Sequence, residues 1–384
     1  MSSGSGAPAV LVHTGGPTPV INASLLGVWE EARKHREISR LYGARFGFDG
    51  VLAEEFIDLS GQAPDAMDAV GRAPSSALGT SRRELSEPDL ERILAVLRAR
   101  DVRFLLCTGG NGSMETARQL WRLTRDSNYD LQVVGIPKTI DNDLMETHHT
   151  PGYGSTARFF ACAARDIGAD NRALPGQVEF IEVLGRNVGW LAAATSLARR
   201  DPEDAPHLIY FPERRLPLDQ LLEDVQRVYK RLNRCVVAVC EGQLDEHGEP
   251  FGADARSGSR GSLAMNLAHR LAMLVSQRLK IRARSEKPGL LGRSSAVSIS
   301  QADWEDSRLC GQRAVLAAIE GQAGNMVTLL ASAAETGLAS LDRVALRERH
   351  FPECWRNDAG NDVLPGFQAF AEPLTGPIPK FQKL

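Results

Sequence analysis

The feature that most constrains this chain is a recurring order: a short apolar run, a polar loop that often carries glycine, then a longer segment with helical periodicity. The apolar runs fall at 9–13 (AVLVH), 102–107 (VRFLLC), 132–136 (QVVGI), 178–184 (VEFIEVL), 207–211 (HLIYF), 235–240 (CVVAVC) and 325–330 (NMVTLL). Strands buried on both faces read as continuous apolar runs because helices cover both sides of their sheet. Helical patterns fall at 22–35, 87–99, 113–126, 188–200, 217–232, 263–280 and 307–321. The helix at 87–99 has an entry signal, with Ser86 as N-cap and Pro88 and Asp89 in the first turn. This alternation predicts an α/β fold with mainly parallel sheets.

At 384 residues the chain exceeds what one hydrophobic core usually serves, so two domains are expected. The net charge of −3 offers no general attraction to nucleic acid, and no eighteen apolar residues run together to span a membrane. The start, MSSGSGAPAV, lacks the basic and apolar regions of a secretory signal and reads as a frayed terminus. Six cysteines (Cys107, Cys162, Cys235, Cys240, Cys310, Cys354) are scattered without a CxxC pair, which fits reduced thiols in a cytoplasmic protein. The stretch 241–262 is rich in glycine and charge and reads as a mobile loop. From about 341 the periodicity is weak and proline frequent, so this tail reads as a surface appendage. Trp29, Trp121 and Trp190 lie in helical patterns and read as core, His148 and His149 as an exposed loop pair, and YKRLNR at 229–234 as the solvated end of a helix. The histidines show no metal-ligand spacing such as HExxH.

In α/β folds ligands gather at the carboxyl ends of the strands, and the polar motifs follow those ends. They are HTGGPTPVINAS, CTGGNGSMETA, PKTIDNDL and GRNVGW. Paired glycines, Gly15–Gly16 and Gly109–Gly110, let backbone amides approach a phosphate while the following helix dipole favours its charge. A single pair is equally compatible with a tight strand-to-helix turn; two such loops favour phosphate binding. Asp141 and Asp143 fit a turn that caps its own amides, or a base with an orienting neighbour, or a Mg²⁺ ligand. Lys138 beside them offers a point charge to a phosphoryl oxygen. Phosphoryl transfer asks of a protein mainly positioning and charge neutralisation, which this set can supply.

From about residue 9 to 335 the sequence resembles the 6-phosphofructokinase family. PKTIDND is the most specific match; GGNGS resembles the family's GGDGS or GGDDS loop, and EVLGRNVGW its EVMGRxxG segment. TPGYGSTARF, DAPHLIYFPE and VVAVCEG add to the likeness, nearest to short bacterial members that use pyrophosphate. The resemblance implies two three-layer α/β domains with the substrates in a cleft between them. Residues 1–152 with about 293–340 would bind the donor, residues 153–292 the sugar phosphate, and 341–384 would be the appendage.

The same resemblance implies roles for individual positions. Asp141 would take the proton from the 1-hydroxyl of fructose 6-phosphate, Asp143 would support it, and Thr139 would touch the phosphoryl group. Arg82 and Arg186 would offset charge as phosphate moves. Gly15, Gly16, Gly109, Gly110, Asn111, Gly112, Ser113 and Lys138 would bind the donor, with Mg²⁺ as cofactor at Asn111. Glu241 and Gly185 would meet the sugar, and Arg284 and Arg293 its 6-phosphate. One of those arginines usually comes from a neighbouring subunit in this family, which implies a homodimer or homotetramer.

The donor implied by Gly112 is ATP, since no side chain there obstructs a nucleotide. Lys138, and the absence of aromatic residues at Val51 and Arg83, imply pyrophosphate instead. ATP is the leading expectation and pyrophosphate the alternative. Three departures bear on metal and sugar: Asn111 replaces an aspartate, Gln177 an arginine and Leu290 a histidine. They leave room for another sugar phosphate, such as sedoheptulose 7-phosphate, or for a binding paralogue without turnover, with Lys287 and Arg282 as compensating cations.

Overall fold

The structure is a computed structural model that describes residues 6–249, 251, 266–332 and 334–382. In chain order the elements are β1 (Ala7–His13), α1 (Ile21–Ala32), β2 (Ile38–Ala44), α2 (Phe48–Leu52), β3 (Phe56–Asp58), α3 (Pro64–Arg72), α4 (Glu87–Ala99), β4 (Phe104–Gly109), α5 (Asn111–Asp126) and β5 (Gln132–Pro137). There follow α6 (Tyr153–Ala173), β6 (Gln177–Val183), α7 (Trp190–Ala194), β7 (Leu208–Tyr210), α8 (Leu218–Leu232), β8 (Cys235–Cys240), α9 (Leu267–Leu279) and β9 (Arg282–Glu286). The last are α10 (Gln301–Ile319), β10 (Asn325–Leu329), β11 (Thr336–Ser340), α11 (Leu341–Val344) and α12 (Gly366–Thr375). They divide into two compact units, one of residues 1–153 with 301–349, the other of 154–300 with 350–384.

The first unit is built on a seven-stranded sheet in the order β11-β10-β5-β4-β1-β2-β3. Its five inner strands run parallel, and the edge strands β3 and β11 pair antiparallel to their neighbours. β4 (FLLCTG) is buried along its whole length, as its apolar run requires. Helix α4 begins with the capping box of Ser86 and Asp89, as its sequence predicts. Glycines set the approach of α1 to α10. A Cβ on Gly27 would lie 1.9 Å from the Arg308 carbonyl oxygen, and one on Gly311 would lie 2.1 Å from that of Ser24. The two helices meet backbone to backbone.

The second unit carries a four-stranded sheet, β7-β8-β6-β9, with every pairing parallel. One face buries Val178, Phe180, Val237, Val239, Leu221 and Leu271 among α8 and α9. YKRLNR closes α8, with Lys230 and Arg231 exposed and Asn233 in the left-handed conformation that ends it.

The tail expected as a surface appendage is not one. Residues 341–349 belong to the first unit, where Leu341 and Val344 join the core. Residues from 350 belong to the second, where Phe351 and Phe367 are fully buried. Phe351 stacks on Phe211 with ring centres 5.2 Å apart, and Trp190, Trp355 and Phe370 complete an aromatic cluster. The segment is held by rings at irregular spacing, so it shows little period. Residues 293–300, expected in the donor domain, fall in the second unit. Trp29 and Trp190 are core residues, as predicted, and all six cysteines are free thiols. The frayed start at 1–5 and most of the loop expected over 241–262 (residues 250 and 252–262) lie outside the described residues. Among the described residues, no helix is long and apolar enough to cross a membrane.

Candidate active site

In the first unit three strand-end loops meet. β1 ends at His13, and the chain turns through Gly15, whose φ of 77° lies in the region that favours glycine. A Cβ there would sit 3.4 Å from Lys138 Nζ and 3.9 Å from Ser113 Oγ. β4 runs through Gly109 into α5, and a Cβ on Gly109 would strike Ser113 Oγ at 1.9 Å. Thr14 Oγ1 donates to Ser113 Oγ, tying the first loop to the second. β5 then delivers Lys138, only 3% exposed, whose Nζ donates to the Gly16 carbonyl at 2.6 Å and whose backbone N–H donates to Gly109 O at 3.0 Å. Helix α5 starts at Asn111 with no side-chain cap and no acidic residue in its first turn, so its amides and dipole are available to an anion. Gly112 differs from its neighbours: a Cβ there would meet nothing within 4 Å.

The DND loop after β5 is ordered by its own polar groups. Asp141 N–H donates to Thr139 Oγ1 at 3.1 Å, and Asn142, left-handed at φ 58°, accepts the Thr150 N–H on its side chain at 3.0 Å. Asn111 Nδ2 donates to Asp143 Oδ2 at 2.9 Å, joining the start of α5 to this loop. Burial raises the Asp143 carboxyl above its usual range, while the Asn111 hydrogen bond pulls the other way. His149, expected in an exposed pair, is buried and bonds Asp306 Oδ2 at 2.8 Å, because the loop folds back over α10. Arg82 is exposed; the neighbouring Ser81 carbonyl accepts the Gly15 N–H at 2.9 Å.

The fit to Mg²⁺ can be judged from donor atoms. Asn111 Oδ1 and Asp143 Oδ1 are buried without a hydrogen-bond partner among the described residues. Hard oxygens of this kind suit Mg²⁺, which takes one or two protein ligands and completes its shell with water and phosphate. Among the described residues no group of three His, Cys, Asp or Glu could hold a metal.

Two groups the sequence did not single out also shape this loop cluster. His13 is fully buried beside Lys138, and burial followed by the lysine charge lowers its pKa to about 3, which keeps it neutral. It pairs with Ser76 Oγ at 2.9 Å, in the segment that leads to Arg82. Arg349 is half-buried against the DND loop. Arg349 belongs to no recognisable motif, and His13, the first residue of HTGGPTPVINAS, has only its place at the strand end to mark it.

The second unit brings together Gly185, Arg186 and Glu241. Gly185 (φ 138°) and Arg186 (φ 46°) form a tight turn after β6, and their N–H groups donate to the Glu241 carboxylate. Burial raises the Glu241 carboxyl, and the nearby Glu182 adds to the shift. Arg284 lies on the edge strand β9 opposite Glu179 of β6, and its charge opposes the upward shift that burial and Asp170 impose on Glu179. Arg293 ends a separate short turn, Gly289–Arg293. Gln177 is 1% exposed and donates to Glu179 Oε1 at 2.9 Å, so it is tucked into the protein. Leu290 is 65% exposed. Lys287, considered a compensating cation, lies 2.6 Å from the buried Glu182 carboxylate, which claims its charge.

A sheet whose strand-end loops offer amides, an uncapped helix start and a buried lysine to an anion places the chain among phosphoryl-transfer α/β proteins. A model of the phosphofructokinase family matches residues 9–326, and the chain belongs to that family of phosphotransferases. It is 37% identical to the pyrophosphate–fructose 6-phosphate 1-phosphotransferase of Rhodospirillum rubrum, over 96% of this chain and 94% of that protein. A sulfofructose kinase from Alkalicoccus urumqiensis is 30% identical, over 92% of this chain and 93% of its own length. Among solved structures, the pyrophosphate-dependent phosphofructokinase of Nitrosospira multiformis superposes with a TM-score of 0.89 at 30% identity, covering 98% of this chain and 94% of that one.

Proposed function

We propose that this enzyme transfers a phosphoryl group reversibly from pyrophosphate to the 1-hydroxyl of fructose 6-phosphate. The observation that carries the donor is the state of Val51 and Arg83. Val51 is fully buried in the core, and Arg83 is engaged by Asp89 at 2.7 Å and Asp49 at 3.5 Å, so neither offers a face to an adenine ring. The expectation of ATP rested on Gly112. Its open surroundings permit a nucleotide without selecting one, and the Rhodospirillum rubrum and Nitrosospira multiformis relatives both carry pyrophosphate in their names.

In this reading the terminal phosphate lies against the amides of the Gly15–Gly16 and Gly109–Ser113 loops, where the α5 dipole and Lys138 neutralise it. Thr139 touches the transferring group. Asp141 accepts the proton of the sugar's 1-hydroxyl; that oxygen forms the new P–O bond as the bond to the leaving phosphate breaks. Asp143 orients the loop through Asn111. Arg82 and Arg186 offset charge that builds on the phosphoryl oxygens. Asn111 and Asp143 would hold Mg²⁺, which neutralises phosphate oxygens when bound. Glu241, kept in place by the Gly185 and Arg186 amides, accepts hydrogen bonds from sugar hydroxyls, and Arg284 and Arg293 hold the distal anion. The working form is a homodimer or homotetramer, which sedimentation would show.

Initial rates with Mg²⁺ and fructose 6-phosphate, pyrophosphate against ATP, test the donor. Turnover with pyrophosphate and release of pyrophosphate from fructose 1,6-bisphosphate plus phosphate are expected; turnover with ATP alone overturns the reading. One observation favours a second reading for the sugar. Gln177 turned onto Glu179 and Leu290 in solvent leave the distal anion with fewer cations, and the Alkalicoccus urumqiensis relative is a sulfofructose kinase. A kcat/KM higher for sedoheptulose 7-phosphate or 6-deoxy-6-sulfofructose than for fructose 6-phosphate would select it.

A further inference from the structure

We propose that Arg349 is a positioning residue that fixes the working conformation of the Asp141–Asp143 loop. Its guanidinium lies inside the curve of that loop. Nε and Nη2 donate to the Asn142 carbonyl at 3.1 and 2.9 Å, and Nη1 donates to the carbonyls of His148, at 2.7 Å, and Thr147. The Arg349 backbone N–H donates to the Asp143 carbonyl at 2.7 Å, and the preceding Glu348 bridges to Leu144. One side chain thus joins both ends of the loop, from Asn142 to His148, while its own backbone holds Asp143 beside the first.

The residue type matters. A guanidinium spreads its donors over three nitrogens in a fixed planar fork, and here all three nitrogens serve carbonyls; an ammonium has three rotatable donors on a single nitrogen and lacks that fixed spread. The loop turns at Asn142, whose φ of 58° lies in the left-handed region that asparagine tolerates, and it is the carbonyl of this turning residue that the guanidinium holds through two donors. Asn142 lies between the two aspartates, so relaxation there would turn both. Burial lowers the Arg349 pKa to about 10, which still leaves it charged at neutral pH. The side-chain hydrogen bonds described for Arg349 run to main-chain carbonyls, and its influence on the reaction is proposed to run through Asp141; the proposal therefore rests on Asp141 as the base.

The test uses the full-length enzyme with fructose 6-phosphate and pyrophosphate, and the variants Arg349→Ala and Arg349→Lys. A displacement of the base by about 1 Å lowers turnover on the order of 100-fold, so Arg349→Ala should lose about that in kcat while KM for both substrates moves less than about threefold. Arg349→Lys should recover no more than about a tenth of the lost rate. Amide hydrogen exchange should quicken over 139–149 and stay unchanged over β4 and α1. In an Asp141→Asn background, adding Arg349→Ala should cost less than about twofold, because the group it positions is already gone. Arg349→Lys or Arg349→Ala turning over within twofold of the parent, or a loss that adds in full to that of Asp141→Asn, would overturn the proposal. An inactive Asp141→Asn beside active Arg349 variants sinks the role of Arg349 alone. Full activity in Asp141→Asn sinks the assignment of the base, and this proposal with it.

Discussion

The two units present different chemistry from different parts of the polypeptide. In the first, glycines at strand ends and the uncapped start of α5 present main-chain N–H groups, with one buried lysine among them. In the second, carboxylates dominate: Glu179 and Glu182 are buried on β6, and Glu241 is held by the amides of the loop that follows it. Amides and a lysine suit an oxyanion, and carboxylates suit hydroxyls. An anion can be gripped by backbone alone, so that half needs conformation more than side chains. On the proposed function, a sugar's hydroxyls would find acceptors in the second unit, where buried charged groups must also be satisfied within the protein.

Four experiments would break or sharpen this contrast. Asp141→Asn should lower kcat by about 10³-fold with sugar binding retained, which stopped-flow kinetics and a binding titration would show together. Glu241→Gln keeps the shape of the carboxylate but weakens hydrogen bonds worth about 1.5–3 kcal/mol, so KM for the sugar should rise about 10- to 100-fold with the KM for pyrophosphate unmoved. A matching rise in the pyrophosphate KM would dissolve the division of labour. The third concerns acid stability. His13, with a folded pKa of about 3 against 6.5 unfolded, binds its proton mainly in the unfolded chain. Stability from this group is therefore present above pH 6.5 and drains as the pH falls toward 3, by about 2 kcal/mol between pH 7 and pH 5. His13→Gln should flatten that slope in urea unfolding, and an unchanged slope would remove His13 as its source. The smallest effect is expected at Gly112→Asp. The open space there accommodates the side chain, so Tm should hold and the pyrophosphate rate should stay within a few-fold while any residual ATP rate disappears.

The contrast also explains what could be read from the sequence. Glycine pairs and PKTIDND announce themselves because backbone phosphate sites tolerate few residue types, and the core strands because both faces are buried. Helix α6, Tyr153–Ala173, escaped notice because YGSTARFFACAARDIGADNRA mixes small and polar residues without a clean stripe. Edge strand β9 (RARSE) carries charges that protect an open edge, which hides it from an apolar pattern. Arg349 was invisible for another reason: a lone arginine in an aperiodic tail says nothing of the distant carbonyls it will meet. Gln177 was noticed as a departure, yet only the structure shows it bonded to Glu179.

The interleaving of the units has a consequence for biosynthesis. β5 acquires its neighbour β10, and α1 its partner α10, only when residues 301–329 exist. The second unit in turn lacks Phe351 and Phe367 until the last stretch of the chain appears. The first unit therefore waits with an unfilled core until residues 301–349 are made, and the second until the stretch from 350 follows. Nascent chains halted between 300 and 350 should be protease-sensitive in both units at once, and should gain resistance in the first unit before the second as elongation resumes.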